Sequence, residues 1–469
     1  MTSSAAASGT GFGGHPSGLA TLFFVEMWER FSYYGMRAIL VLYCVAAPAI
    51  GGLGFSTQDA ASLYGTYTMA VYLLSVPGGL IADRWLGARR SVLLGGIVII
   101  AGQFTLTVAS LPFFYTGLSL IAIGTGLLKP NISTMVGSLY SKDDPRRDSG
   151  FSLFYMGINV GAVMAPLVCG YLAESPAFKA WLAGRGFDPA GSWQWGFAAA
   201  GVGMIAGLLV FLLRRGTLSG VGERPAVRKK ATSTQVSAVE SHGALTGEEW
   251  KRIFAISILF AFTILFWSAY EQKGASLNLF AKQLVSTSLF GWEFPASWLQ
   301  SLTPFYVILL APVFARMWIR MGDRQPSSPA KFALGLLAIG LAFCLLVPAS
   351  ALTAAGKISP LWLAAVYLLD VIGELCLSPV GLSTVTKVAP IRLVGLMMGA
   401  WFFAASLGNK LAGYFSTFFV ADDPNRLVWL YGSIAAGLLL GAGLLFLLTG
   451  RLRRLMGEEN GASPNGKPA

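Results

Sequence analysis

The stretch GGLIADRWLGARR, residues 78–90, separates two apolar runs that are each long enough to cross a bilayer. It places one carboxylate, Asp83, and the arginines Arg84, Arg89 and Arg90 among glycines that suit tight turns. Charges concentrated between apolar runs are typical of a short loop that joins two membrane helices at one face of the bilayer. We expect Asp83 to cap a helix or to pair with a cation at that rim, where it would help to hold the face closed.

The composition of the whole chain indicates a membrane protein. Of its 469 residues, 55% are hydrophobic and only 12% are charged, whereas a soluble chain carries about 25% charged residues. Apolar runs of about 20 residues recur along the chain, as they do in proteins with several transmembrane helices. We predict an all-α fold with twelve membrane spans, numbered in chain order: 19–47, 57–82, 91–110, 112–140, 149–173, 193–215, 250–281, 298–321, 330–352, 359–387, 392–420 and 427–450.

A polar segment divides these spans into six and six. Residues 216–249 contain several charges and no apolar run long enough to cross a bilayer, so we predict a cytoplasmic linker there. The predicted organisation is an N-terminal tail, a six-helix bundle, the linker, a second six-helix bundle and a C-terminal tail, at 1–18, 19–215, 216–249, 250–450 and 451–469. Two bundles with equal numbers of helices are typical of transporters built from two related halves.

Lysine and arginine are distributed asymmetrically around the spans. We assign 24 of the 34 to the loops, linker and C-terminal tail of one side, five to the other side and five to the spans themselves. The positive-inside rule makes the rich side cytoplasmic, so both termini are predicted to face the cytoplasm. The net charge of +12 therefore reports topology. Because the basic residues are spread over many loops, no nucleic-acid partner is implied.

Span 1 carries four ionisable residues in the segment EMWERFSYYGMR, residues 26–37. A charge at bilayer depth costs about 2.5 to 3.5 kcal/mol on insertion scales, so Glu26, Glu29, Arg30 and Arg37 require an explanation. Static pairing of buried ions is one explanation, although apolar packing would stabilise the fold as well or better. The other is that these charges bind something that crosses the membrane.

Counting residues along each span places the intramembrane charges at two depths, and opposite signs are available at both. Near the cytoplasmic end, about ten residues in, are Glu29, Arg30, Lys129 on span 4 and Glu374 on span 10. Nearer the outer end are Arg37 and Glu271, the latter on span 7.

The sequence offers little support for an enzyme or a metal protein. The cysteines lie in apolar runs without metal-type spacing, which indicates buried small side chains: Cys44, Cys169, Cys344 and Cys376. The two histidines, His15 and His242, fall in predicted cytoplasmic segments. An enzyme within the bundle would need a nucleophile–base pair or a metal cluster. We therefore predict a non-enzyme without a metal or cofactor.

Several motifs resemble those of known transporters. Residues 78–90 are similar to the signature loop of the major facilitator superfamily, and RMWIRMGDR (316–324) is a weaker second copy. Span 1 resembles the ExxERFxYYG signature of the proton-dependent oligopeptide transporter family. The other similar segments are Gly124 to Asn131 on span 4, FYMGINVGAVMAP (154–166) on span 5, Gly373-Glu374-Leu375 with Ser378-Pro379 on span 10, and Trp401 on span 11.

This resemblance implies a bacterial symporter of the major facilitator fold, which takes up di- and tripeptides by alternating access and is driven by the proton gradient. It further implies an inner-membrane protein that works as a monomer in lipid. Many bacterial relatives have two extra helices between the halves, and the linker is too short and polar for them. Relatives often have Asn before Pro on span 8, where this chain has Thr303-Pro304, which puts one substrate contact in doubt.

A short peptide is a zwitterion, so it needs a cationic subsite and an anionic one. We predict that Arg37 and Lys129 bind its carboxylate and that Glu374 binds its ammonium group. The other predicted substrate-binding residues are Tyr34, Tyr72, Tyr155, Asn159, Trp267, Ser378 and Trp401. For each aromatic residue alone, ordinary helix packing is the competing explanation.

Carboxylates must carry the proton, because no histidine lies in a span. We predict Glu26 and Glu29, paired with Arg30, as the proton-coupling group; Glu374 and Asp370 are further candidates. Two gates are predicted from charge and depth. Arg37 with Glu271 would close the outer face, and Lys129 with Glu374 the inner one.

Three alternatives remain open at this point. A relative that moves nitrate or another small anion would also use an ExxER helix, although Glu374 would then have no ammonium group to bind. A drug–proton antiporter of the same fold would have less use for two cations in the N-terminal half. An integral membrane enzyme would need the nucleophile–base pair or metal cluster noted above, for which the sequence offers little support.

Overall fold

The computed structural model describes residues 12–141, 144, 146–223, 245–289, 291–390 and 393–457. Within these residues the fold is almost entirely helical. The only strands among the described residues, β1 (Ser288–Leu289) and β2 (Trp292–Glu293), form an antiparallel hairpin with two residues in each strand. Most of the predicted linker and the ends of both predicted tails lie outside the described residues, as does His242.

Fifteen α-helices make up the described fold. They are α1 (Ser17–Val45), α2 (Thr57–Leu73), α3 (Ser75–Ile81), α4 (Ala88–Thr105), α5 (Leu111–Ser138), α6 (Arg147–Glu174), α7 (Pro176–Gly184), α8 (Ser192–Leu213), α9 (Gly247–Tyr270), α10 (Ser276–Leu284), α11 (Leu302–Met321), α12 (Ser328–Leu352), α13 (Leu361–Val388), α14 (Val394–Ser416) and α15 (Pro424–Met456).

Nine helical segments of the described chain are long and apolar enough to cross a membrane. The first helix, α1, is not among them, because every membrane-length window within it contains at least three of its four charged residues. All four of those charged side chains are nonetheless buried inside the bundle. The all-α membrane fold is confirmed, whereas the count of twelve spans and the absence of extra inter-domain helices stay predictions.

Three of the predicted spans are not continuous α-helices. Span 2 is divided into α2 and α3, and span 7 is interrupted by a 3₁₀ turn at Glu271–Gly274 that separates α9 from α10. Span 8 begins with a 3₁₀ segment at Ala296–Ser301 before α11. Expecting unbroken helices was wrong here because hydropathy reports apolar surroundings, and an α-helix and a tight turn in the same surroundings give the same signal. The short helix α7 was also not predicted.

The helices pack as two groups. Helices α1 to α8 form the first group, in which α1 lies against α6 and α8. Helices α9 to α15 form the second group, in which α12 packs on α13 and α15. Two helix pairs join the groups along their length: α2 with α14, and α6 with α11. Between α2 and α14 the backbones touch, since a Cβ added to Gly65 would lie 2.8 Å from the Cα of Gly413.

The bundle has two distinguishable ends. We call one the basic face; it carries the 78–90 loop, the turn before α6, the turn Gly322–Arg324 and the end of α13. The other, the opposite face, carries the loop after α1, the helix α7, the β-hairpin and the start of α13. In the 78–90 loop, Ala82–Leu86 form a π-helical turn that ends at Gly87, whose φ of 77° favours glycine.

Candidate functional site

Two adjoining cavities lie between the two groups of helices. The smaller has a volume of about 160 Å³ and the larger about 1350 Å³. They share Tyr155 and Asn159 of α6, Val307 of α11 and Glu374 of α13. The two cavities therefore adjoin between α6, α11 and α13.

The larger cavity extends to the basic face. Its walls include Gln325 and Lys331 beside the turn after α11, Lys387 at the end of α13, and Arg453 at the end of α15. Its inner end is formed by the residues that it shares with the smaller cavity, together with Ser378. The space between the halves is therefore open at the basic face.

The smaller cavity is closed toward the opposite face by contacts that join the two groups of helices. An ion pair links Arg37 of α1 to Glu271 of the 3₁₀ turn after α9, and both side chains are buried. The guanidinium of Arg37 also donates to the hydroxyl of Tyr64 on α2. Its Cζ lies 5.3 Å from the centre of the Tyr64 ring.

Further hydrogen bonds around this ion pair also cross between the groups. The amide nitrogens of Asn278 and Gln300 donate to the backbone oxygen of Ala38, at 2.8 and 3.2 Å. The carboxylate of Glu174 accepts from the ammonium of Lys282 at 2.7 Å and from the backbone nitrogen of Ser297 at 3.2 Å. Two of these four hydrogen bonds end on the same backbone oxygen, so the closure depends in part on how α1 is positioned.

The smaller cavity is lined by charges of both signs. Arg37 comes from the first group of helices, and Glu271, Lys273 and Glu374 come from the second. Glu374 accepts a hydrogen bond from the hydroxyl of Tyr270, and the Lys273 ammonium lies 3.0 Å from the centre of the Tyr270 ring. A ligand in this space can therefore meet a cation and an anion that belong to different halves.

A second charged group lies entirely within α1. The Nε of Arg30 is 3.1 Å from Oε1 of Glu26 and also donates to Glu29. All three side chains are buried. One oxygen of each carboxylate, and Nη2 of Arg30, has no hydrogen-bond partner in the described chain. Two carboxylates therefore share one guanidinium, so one of them can take up a proton while the other keeps the ion pair.

Comparison with known proteins places these features in a family. A family model described as the POT family matches residues 89–242 and 227–430. The chain is 36% identical over 521 residues to the peptide transporter YePEPT of Yersinia enterocolitica, with 98% of this chain and 99% of that protein covered. It is 35% identical over 503 residues to a di-/tripeptide transporter of Lactococcus lactis, with 95% and 98% covered.

Solved structures support the same family assignment. A crystal structure of the peptide transporter POT in complex with sulfate superimposes with a TM-score of 0.83 at 37% identity, covering 95% of this chain and 97% of that one. The chain belongs to the POT family. The resemblance in the motifs is thereby confirmed, and this POT-family member is an integral membrane transporter and not an enzyme.

Most of the residues that we predicted as substrate-binding in this POT-family protein line the cavities. The smaller cavity is lined by Tyr34, Arg37, Tyr72, Tyr155, Asn159, Trp267, Glu271 and Glu374, and the larger one also by Ser378. The Asn159 amide donates to the backbone oxygen of Tyr155 at 2.9 Å, within its own helix. Thr303 lines the smaller cavity as well, so the position that we doubted faces the cavity.

Two predicted residues lie elsewhere. The ring of Trp401 packs against Phe260 and Phe332, with ring centres 6.2 and 6.3 Å apart, and lines neither of the two cavities. The ammonium of Lys129 lies 4.0 Å from the centre of the Tyr72 ring, behind the cavity wall. No contact among the described residues joins Lys129 to Glu374, so this structure does not bring the predicted inner gate together.

The loop residues lie at the basic face. Asp83, Arg84 and Arg90 are exposed, and α4 begins at Ala88, after the N-cap residue Gly87, without a side-chain cap. Asp83 therefore does not cap α4. Arg89 donates from its backbone to Gly222 at 3.0 Å and from its side chain to the backbone oxygen of Arg215 at 3.3 Å. This arginine thus links the loop to the segment after α8.

Three polar residues that line the smaller cavity were missed from the sequence: Tyr270, Lys273 and Gln300. Lys273 is two residues from Glu271, and positions two apart lie on different faces of an α-helix. Both can line one cavity because the helix gives way to a 3₁₀ turn between Glu271 and Gly274. A hydrophobic pattern does not report such a break, but an ionisable pair two residues apart inside a span is a signal that could have suggested it.

Proposed function

We propose that this chain is a proton-coupled symporter that carries di- and tripeptides into the cell by alternating access. One observation carries the proposal: a single cavity between the two groups of helices is lined by Arg37 from one group and by Glu374 from the other. A zwitterionic peptide presents a carboxylate and an ammonium group at its two ends, so it can bridge such a cavity. The relatives named above as peptide transporters support this substrate class.

The proposed orientation of the peptide follows from charge. Its carboxylate would bind to Arg37, with Lys129 adding positive potential from behind Tyr72, and its ammonium would bind to Glu374. Tyr34, Tyr155 and Asn159 would contact peptide groups between the two ends. Because Arg37 is paired with Glu271 and Glu374 with Tyr270, substrate would replace partners that already compensate these charges.

The proposed proton-coupling group is Glu26, Glu29 and Arg30. When one carboxylate is protonated, Arg30 is free to pair with the other alone, and deprotonation brings it back between both. This gives a local two-state element whose equilibrium depends on proton binding and can be linked to helix movement.

The proposed gates operate in alternate states. The pair of Arg37 and Glu271 closes the opposite face while the basic face is open, as in the arrangement described above. In the reverse state Arg37 and Glu271 would separate, and Lys129 would approach Glu374 to close the basic face. Asp83, Arg84, Arg89 and Arg90 would act at that face through helix contacts and not through substrate.

We further propose the surroundings in which the protein works. The basic face would be cytoplasmic, with both termini on that side of the inner membrane and bundles at 19–215 and 250–450. The protein would act as a monomer in lipid, without a cofactor or metal and with protons and peptide as its partners.

The experiment that tests the function is uptake of labelled dialanine into proteoliposomes under an inward proton gradient, with unlabelled peptide or nitrate as competitor. We expect concentrative uptake that collapses with a protonophore and is inhibited by unlabelled dialanine but not by nitrate. Uptake without a response to the pH gradient would contradict proton coupling. Competition by nitrate alone would contradict the substrate class.

A further inference from the structure

The second group of helices contains its own set of one cation and two carboxylates. Lys273 belongs to the 3₁₀ turn after α9, and Asp370 and Glu374 lie one turn apart on α13. Both carboxylates are within electrostatic range of the Lys273 ammonium. The composition matches that of Arg30, Glu26 and Glu29 in α1, but the contacts differ.

In α1, each carboxylate contacts the cation directly. In the second set, Glu374 accepts from Tyr270 and the Lys273 ammonium lies over the Tyr270 ring, whereas Asp370 is fully buried at 0% exposure. Neither carboxylate oxygen of Asp370 has a hydrogen-bond partner anywhere in the described chain. Asp370 is therefore the buried carboxylate in the second group that the proposed function does not explain.

An ionised carboxylate without donors is costly in such a place. The penalty for burying an unpaired ion is several kcal/mol even after relaxation, so the group takes up a proton instead. The charged groups of the described chain that act on Asp370 are Lys273 and Glu374. The helices packed on α13 are α9, α11, α12 and α14, and no charged side chain of these helices is among the groups that act on Asp370. The position of Lys273 therefore decides whether Asp370 can ionise.

The position of Lys273 is linked to the proposed gate formed by Arg37 and Glu271. Lys273 and Glu271 belong to the same four-residue turn, and Glu271 holds Arg37. Separating Arg37 from Glu271 would release the turn that carries Lys273.

We propose that Asp370 is a second proton-binding site of this transporter, alternating between a protonated form and an ion pair with Lys273 as the 3₁₀ turn moves. Asp370 lines neither cavity, but Glu374, one turn away, lines both. When Lys273 turns toward Asp370, the carboxyl proton passes by way of Glu374 to water in the cavity, and the ammonium, already charged, becomes the partner of the carboxylate. When Lys273 returns to the Tyr270 ring, Asp370 takes a proton from water again by the same route. This inference rests on the proposed proton-coupled function and adds a second proton to it.

The test measures the number of protons that move with each peptide. Proteoliposomes hold a fixed tenfold gradient of labelled dialanine with the membrane potential clamped at zero, and the pH gradient that stops net peptide flux is measured. We expect Asp370→Asn to lower the proton-to-peptide ratio by one, so that accumulation per pH unit falls about tenfold. Lys273→Gln should lower the ratio equally, because without the ammonium Asp370 keeps its proton throughout the cycle.

The matched controls are Asp422→Asn and Lys357→Gln, two substitutions at exposed positions, which should keep the wild-type proton-to-peptide ratio. If Asp370→Asn fails to fold, the Lys273→Gln ratio decides alone. A wild-type ratio in Lys273→Gln, or in folded Asp370→Asn, would overturn the inference while leaving the symport intact. Absence of any proton movement with peptide in the wild-type protein would instead overturn the proposed function.

Discussion

The two ends of the space between the helix groups are held in different ways. At the opposite face, an ion pair and several hydrogen bonds cross from one group to the other, and two of these hydrogen bonds end on the backbone oxygen of Ala38. At the basic face, the cavity walls carry Gln325, Lys331 and Lys387 around an open space of about 1350 Å³. The closed end is therefore held by an ion pair and hydrogen bonds that cross between the groups, whereas the polar side chains at the basic face surround an open space.

Breaking the ion pair of Arg37 and Glu271, at the centre of the closed end, should have the largest effect on transport. Glu271→Gln leaves the buried Arg37 without its counter-ion, and removing one partner of a buried pair costs about 3 to 5 kcal/mol. We expect the population to shift toward a form open at the opposite face and gradient-driven dialanine uptake to fall more than tenfold.

Spin labels at Ile50 and Leu289, both exposed near this face, would report the shift as a longer distance between them. The matched control is Glu293→Gln, an exposed glutamate on β2, which should leave the distances unchanged. Distances in Glu271→Gln that equal those of the wild type would remove the gate assignment.

The next prediction asks whether protons drive the exchange between the two ends. Glu29→Gln fixes a state that resembles the protonated one, so Arg30 pairs with Glu26 alone. We expect this variant to exchange labelled for unlabelled dialanine across a membrane without a gradient, because exchange needs only binding and reorientation. Accumulation under a proton gradient should fall about tenfold or more.

Comparing counterflow with gradient-driven uptake in the same vesicles measures both results, with Glu248→Gln, an exposed residue at the start of α9, as control. Wild-type levels of pH-driven accumulation in both Glu29→Gln and Glu26→Gln would show that these carboxylates are not a proton-coupling site.

A smaller effect is expected where the two cavities meet. Glu374→Gln removes the negative charge that is proposed to bind the peptide ammonium, at a site bordering both cavities. Hydrogen bonds to charged groups contribute about 1.5 to 3 kcal/mol, so the affinity for dialanine should fall roughly ten- to a hundredfold. Competition assays should show little change for N-acetyl-dialanine, which has no ammonium group. Equal losses for both peptides would show that the proposed orientation is wrong.

The smallest effect is expected at the rim of the closed end. The Lys282 side chain is 46% exposed, and partly exposed ion pairs contribute about 1 kcal/mol or less. We expect Lys282→Ala to change uptake less than twofold and to shift the spin-label distances only slightly. A change as large as that of Glu271→Gln would mean that the whole contact network, and not the central ion pair, holds the opposite face closed.

Much of this arrangement was predictable from residue spacing. Counting along the spans placed Arg37 and Glu271 at one depth, and the structure brings them into contact. The i, i+4 spacing of Glu26 and Arg30 in span 1 likewise anticipated their ion pair, and Glu29 is the residue next to Arg30 in the chain.

What could not be predicted depends on contacts between distant segments. The 3₁₀ turn that brings Lys273 to the cavity follows from the packing of α9 and α10 against α1 and α14, which hydropathy does not encode. Trp401 matched a family motif, yet its ring fills a space between Phe260 and Phe332, because a motif gives the residue type and not the direction of the side chain.

The contact between Gly65 and Gly413 has a mechanical consequence. Where α2 crosses α14, no side chain stands between the two backbones, so nothing there must change rotamer or be resolvated when one half tilts against the other. In the proposed alternating-access cycle, this contact would be the point about which the helices tilt while the two ends separate and approach in turn. A methyl group on either glycine would push the backbones of α2 and α14 apart and tilt both halves together. An alanine at either position would therefore alter both faces at once.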